Sequence, residues 1–175
     1  MRHREIAVAI VLASLIGCTS RSQEPKAEPF AGSTASIDHP RQGPVPGPEL
    51  VAVRTERHTG FVRAVFEFRG KHLPGYHAGY LPHPARECGS GRPATVAGQA
   101  RLQLRLSPAR AHGENGRSPS FPTDLGPGPG PLLELGQTCD FEGVVSWVLG
   151  LRARLPYRVR ELDHPARLVV DIADR

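Results

Sequence analysis

The chain has 175 residues, 39% of them hydrophobic and 6% aromatic, with 19 glycines and 18 prolines. That density of turn formers excludes an architecture of long helices and favours short strands. Lys and Arg number 22 against 17 Asp and Glu, and Lys26 and Lys71 are the only lysines. So modest an arginine excess suits anionic envelope polymers, and is too small and dispersed to argue for nucleic acid, so no nucleic-acid partner is expected.

The N-terminus opens on the basic stretch Met1-Arg2-His3-Arg4, followed by an unbroken run of apolar and small residues from Ile6 to Ile16. This run is far short of the roughly 20 residues a membrane-spanning helix needs, and matches a secretory h-region. Leu15-Ile16-Gly17-Cys18 resembles the bacterial lipobox, whose cysteine is cut free as the new N-terminus and carries a diacylglyceryl thioether. Residues 1–17 are thus read as a lipoprotein signal peptide and Cys18 as the lipidation site. Each buried CH₂ contributes about 0.8 kcal/mol, so two or three acyl chains hold durably where one holds marginally. The implied location is the extracytoplasmic side of a membrane, the outer one if the organism has two, since Thr19 is not the aspartate associated with inner-membrane retention.

Residues 18–49 carry few large apolar side chains and no period, which predicts a disordered linker between the lipid and the folded domain. A flexible chain of about 30 residues has an end-to-end distance near 30 Å. From Leu50 to the C-terminus at Arg175 the pattern changes to a period of two. Strands are predicted over Leu50 to Thr55, Phe61 to Arg69, Tyr76 to Leu81, Ala100 to Leu106, Leu132 to Leu135, Val144 to Leu151, Tyr157 to Leu162 and Arg167 to Ile172. ARLQLRL (100–106) alternates without fault, whereas VVSWVLGL (144–151) is apolar on both faces, as a central strand should be. About eight short strands define an all-β domain, a single β-sandwich or small barrel. Residues 107–131, ending in GPGPGP, form a long loop that signals either function or disorder.

Besides Cys18 the cysteines are Cys88 and Cys139. In an exported protein an even pair is most simply a disulfide. A metal site wants ligands at short spacing, and His72, His77 and His83 are spread through a Pro/Gly-rich stretch. The stretches VRTERHTGFVRAVFEF, LPGYHAGYL, TVAGQARLQLRLSPARAH, DFEGVVSWVLGL and YRVRELDHPARLVVDI resemble the AMIN-like domain of bacterial envelope lipoproteins, a relative of the AMIN domain of cell-wall amidases and secretins. The resemblance implies a non-catalytic β-sandwich that targets its host to peptidoglycan. It carries no ligand residues over to this chain.

No reaction centre emerges. Ser146, His164 and Asp171 have uninformative spacing and no nucleophile elbow. The phosphate-binding fingerprints are missing, and no cofactor is implied. Trp147 shares its face with Val145, Leu149 and Leu151 and is read as a core aromatic, against the alternative of a sugar-stacking platform. Arg63, Arg69, Arg101, Arg105, Arg158, Arg160 and Arg167 fall on predicted solvent-facing strand positions. Of these Arg63, Arg101, Arg105, Arg158 and Arg160 are the candidate polymer-binding residues, since neighbouring strands would gather guanidiniums suited to carboxylate or phosphate. The alternative is a solvated face in which cross-strand acids such as Glu67, Glu161 and Asp171 pair the arginines. Two functions follow: an envelope lipoprotein that binds peptidoglycan or another anionic polymer, or a protein–protein adaptor that uses a sheet edge or the 107–131 loop.

Overall fold

A computed structural model describes residues 30–43, 47–113, 115–117 and 119–175; Cys18 and the signal peptide lie outside them. The described chain is all-β, in two antiparallel sheets. One holds β2 (Leu50–His58), β3 (Phe61–Phe68), β9 (Tyr157–Leu162) and β10 (Arg167–Ala173), in the order β2-β3-β10-β9. The other holds β1 (Ile37–His39), β4 (Gly75–Tyr80), β5 (Ala100–Ser107), β6 (Asp124–Leu125), β7 (Leu132–Phe141) and β8 (Val144–Leu151), in the order β1-β4-β5-β8-β7-β6. The sheets stack as an unclosed sandwich, so the sandwich reading holds over the barrel.

The period-two pattern is what fills the interlayer space. Val62, Ala64, Phe66 and Phe68 from β3 and Leu168, Val170 and Ile172 from β10 bury against Leu102, Leu104 and Leu106 from β5 and Val145, Trp147, Leu149 and Leu151 from β8. Trp147 is 0% exposed, with its ring edge-on to Phe66 at 5.9 Å between centroids; it is a core residue. Strand β8 is central and buried on its far side too. There Val148 packs under Ala85 and Val96 from the β4–β5 connection, which passes so close that a Cβ at Gly150 would lie 1.7 Å from the Ala97 carbonyl oxygen.

Two stretches differ from their sequence reading. The linker reading of 18–49 does not extend through its second half, because residues 30–41 dock along the side of the sandwich. Ser33 exchanges backbone hydrogen bonds with Tyr157 at 3.0 and 2.8 Å, β1 pairs with β4, and the Tyr157 hydroxyl reaches the carbonyls of Ala35 and Ala78 at 2.6 and 2.8 Å. Burial, with the neighbouring Tyr80, pushes the Tyr157 hydroxyl up to about 12. A segment with few apolar residues can dock this way because it satisfies backbone groups on an otherwise open sheet edge. The long 107–131 loop is likewise tied down over much of its length: Ala109 and Ala111 are buried, Phe121 lies 6.2 Å from Trp147, and β6 pairs with β7.

Candidate functional site

The five candidate arginines divide between the outer faces of the two sheets. On the four-stranded sheet β10 lies between β3 and β9, and its register sets Asp171 opposite both Arg63 and Arg158. Arg63 donates to Asp171 through Nε at 2.7 Å and Nη2 at 3.1 Å. Arg158 donates from Nε at 3.0 Å, and Arg160 Nη2 stands 3.1 Å from the same carboxylate. Asp171 is 0% exposed although it points away from the core. Val65 and Val169 are buried on this outward side as well, and their register neighbours are Arg54 and Arg160. The aliphatic stems of such arginines cover apolar surface while their heads reach water.

Burial alone would push the Asp171 carboxyl up. Hydrogen bonds from Arg63 and Arg158, with the charges of Arg63 and Arg160, outweigh that and hold it below the ordinary carboxylate value. The same bond raises Arg63. Arg158 also lies over the rings of Phe30 and Phe61, at 4.8 and 5.5 Å, and Arg54 pairs with Glu67 at 3.0 Å. On this face Arg63, Arg158 and Arg160 are committed to one buried acid, which fixes their heads in place while the cluster stays net positive.

The outer face of the six-stranded sheet is arranged differently. Arg101 and Arg105 lie on β5, two rows apart. Arg101 is opposite Gly150, beside the crossing 94–98 segment; it is half-buried, and its Nε is buried without a hydrogen-bond partner. Strict alternation places it in solvent, but the covering connection supplies burial that no local pattern encodes. Arg105 is exposed and has no partner among the described residues. It borders a groove of about 420 Å³ shared with Arg86, Gln103, Ser146 and Phe141. Cys88 and Cys139 form one wall, joined as a disulfide with Cα atoms 5.1 Å apart.

Phe141 is the residue that the sequence reading passes over. It is 54% exposed and ends β7 at the turn Glu142-Gly143, where φ is 48° and 75°. Two consecutive positive φ values mark a type I′ hairpin turn, and the usable signal is Glu-Gly between apolar runs, weaker than Asn-Gly. Ser146, His164 and Asp171 are not brought together: Ser146 lies on β8 of one sheet, Asp171 on β10 of the other, and His164 in the β9–β10 turn. Nor do His72, His77 and His83 gather; His77 pairs with Asp38 at 2.7 Å. Among the described residues no group of three His, Cys, Asp or Glu is placed to hold a metal, and no helix is long and apolar enough to cross a membrane.

A two-layer sandwich with charged outer faces and a packed interior has the form of a surface-binding module. The chain belongs to the AMIN-like domain family, whose profile matches residues 48–174. Such domains are generally non-catalytic targeting modules of the cell envelope, associated with binding of peptidoglycan and related envelope components. No curated protein and no solved structure matches the chain. The docked segment 30–41 lies ahead of the matched region.

Proposed function

We propose that this protein is a lipid-anchored envelope module that holds peptidoglycan, or another anionic wall polymer, on an outer sheet face. The observation that carries the reading is an AMIN-like sandwich with arginine on both outer faces, one of which leaves Arg105 exposed and without a partner. Guanidinium suits this task because its planar fork matches carboxylate and phosphate oxygens in pairs. Lipidation at Cys18 supplies the anchor. Twelve residues later Phe30 is already docked beside Phe61, at 6.0 Å between rings. A fully extended chain of that length reaches at most about 40 Å, against about 100 Å for a tether of about 30 residues, so the anchored domain stays nearer its membrane than the longer tether would allow.

A pull-down on purified cell-wall sacculi at low and moderate salt tests the reading. Salt-sensitive retention is expected, and a Cys18→Ser variant should lose lipid label and detergent partitioning. The adaptor reading draws on β2, whose nine residues pair only with β3 among the described strands. Its residues 52–58 leave a backbone edge open for strand addition. If sacculi retain nothing at any salt, the adaptor reading takes first place.

A further inference from the structure

The groove on the six-stranded sheet combines two arginines, an exposed aromatic ring and a disulfide. Its floor is one cross-strand row, Arg105 on β5, Ser146 on β8 and Cys139 on β7. Phe141 lies two residues beyond Cys139 on the same side of β7, opposite Val144. Strand spacings of about 4.8 Å sideways and 3.4 Å lengthwise put the Cα atoms of Arg105 and Phe141 about 12 Å apart. Their side chains face each other over a polar floor to which Gln103 adds an amide. The opposite wall is the tip of the β4–β5 connection. It is a tight hairpin closed by Glu87 N–H to Arg92 O at 2.9 Å and Ala94 N–H to Ala85 O at 2.8 Å, and Arg86 is braced inside it by donating to Gly91 O at 2.7 Å. What ties that tip to β7 is the Cys88–Cys139 disulfide and one hydrogen bond, Cys88 N–H to Thr138 O at 3.1 Å.

We infer that this groove is a binding site for a carboxylate-bearing glycopeptide, with Arg105 taking a peptide carboxylate and Phe141 stacking on the sugar ring. The inference rests on the envelope-polymer reading and narrows it to one face and one ligand chemistry. Arg105 is the cation for the task because, unlike Arg63, Arg158 and Arg160, which are held by Asp171, its guanidinium is not engaged by any described acid. An exposed ring beside a few converging polar groups is the composition of a site that orients a partly apolar, partly polar ligand. Arg86 adds a second cation across the groove. Glu142 at the rim contributes an acceptor for hydroxyl or amide donors and disfavours ligands that carry only negative charge. The disulfide is a positioning element: it holds Arg86 over the floor and touches no chemistry itself.

The test is calorimetric binding to the full-length protein of a disaccharide–peptide muropeptide with free carboxylates. The controls are the same muropeptide with its carboxylates amidated, and chitobiose, which has sugar rings and no carboxylate. The free-carboxylate ligand is expected to bind at least tenfold more tightly than either control. Arg105→Ala should weaken it at least tenfold, Arg105→Lys less, and Phe141→Ala about fivefold; Arg160→Ala should change it less than twofold. Cys88→Ser/Cys139→Ser should weaken it several-fold, and Arg86→Ala serves if that double variant does not fold. Equal binding of chitobiose, or parental affinity in Arg105→Ala, overturns the inference. If sacculi are retained while the muropeptide does not bind, the groove proposal falls and the polymer reading stands; if neither is bound, both fall.

Discussion

The two outer faces of this sandwich carry the same residue type in the same strand pattern and put it to different uses. On the four-stranded sheet three guanidiniums close on one buried carboxylate, Asp171. On the six-stranded sheet no described acid engages Arg105: its row offers Ser146 and Cys139 on one side and on the other His77, which itself takes up Asp38 of β1. The difference comes from strand order. Placing the C-terminal strand between β3 and β9 brings Asp171 to arginines 108 and 13 positions away in sequence, whereas β5 has β4 and β8 as neighbours, and neither carries an acid in its strand. An arginine stripe is therefore a binding face only where the register leaves it unanswered.

The largest effect that bears on this contrast is expected at the disulfide. Cys88 and Cys139 close a loop with a sequence separation of 51. In the chain-entropy account, losing such a link costs about 4 kcal/mol. Thermal melts of the Cys88→Ser/Cys139→Ser variant, with and without reductant, check this. An unchanged melting temperature would show that the groove wall is held by packing of Ala85 and Val96 alone.

Next is the acid of the paired face. Asp171→Asn keeps the shape and removes the charge that three guanidiniums surround, and should cost about 3 kcal/mol in urea denaturation. The pH dependence follows in sign. Asp171 is held below its ordinary value of 3.8. Glu49 is held below 4.5, chiefly by the Arg69 hydrogen bond; for Glu161 burial pushes up, but Arg41 and His39 prevail and the net direction is again down. Each binds its proton less readily folded than unfolded. Stability should thus be full above the ordinary values and fall as pH drops below them through the folded values. Asp171→Asn should flatten the lowest part of that decline, and an unaltered acid limb would break the assignment.

Much of this fold was legible because apolar residues recur at every second position in Phe61 to Phe68, Ala100 to Leu106 and Arg167 to Ile172. The legibility fails where that period breaks. Strand β7 runs ten residues, Leu132–Phe141, and register shifts near Leu132/Glu134 and Gln137/Cys139 hide its second half from a period-two reading. Strand β1 is three residues long and exists because β4 offers it an edge. The same limit applies to the site. Alternation assigns a side chain to a face, so the outward position of Arg105 was readable; which sheet an arginine belongs to, and which acid meets it, depends on long-range pairing.

A smaller effect should appear at the rim of the groove. Glu142 has φ 48°, a left-handed conformation that costs a non-glycine residue of its type about 1 kcal/mol and that asparagine tolerates better. Glu142→Asn should stabilise the domain by up to about 1 kcal/mol in denaturant titrations. A loss of stability would mean that the carboxylate has a structural role on the open face.

The smallest stability difference is the one that separates the faces most directly. Arg160→Ala removes one of three partners of Asp171 and a stem lying beside the buried Val169. Arg160 is partly exposed and two guanidiniums remain on the acid, so the loss should stay below about 1 kcal/mol. Arg105→Ala removes a side chain that nothing described pairs with, and its change should lie within about 0.5 kcal/mol, as for ordinary surface positions. Retention on sacculi should rank the other way, with Arg105→Ala the more damaging. Matched melts and pull-downs on the two variants read both quantities at once. If Arg105→Ala destabilises as much as Arg160→Ala while retention is untouched, the open face is structural like its counterpart, and the contrast between the two sheets fails.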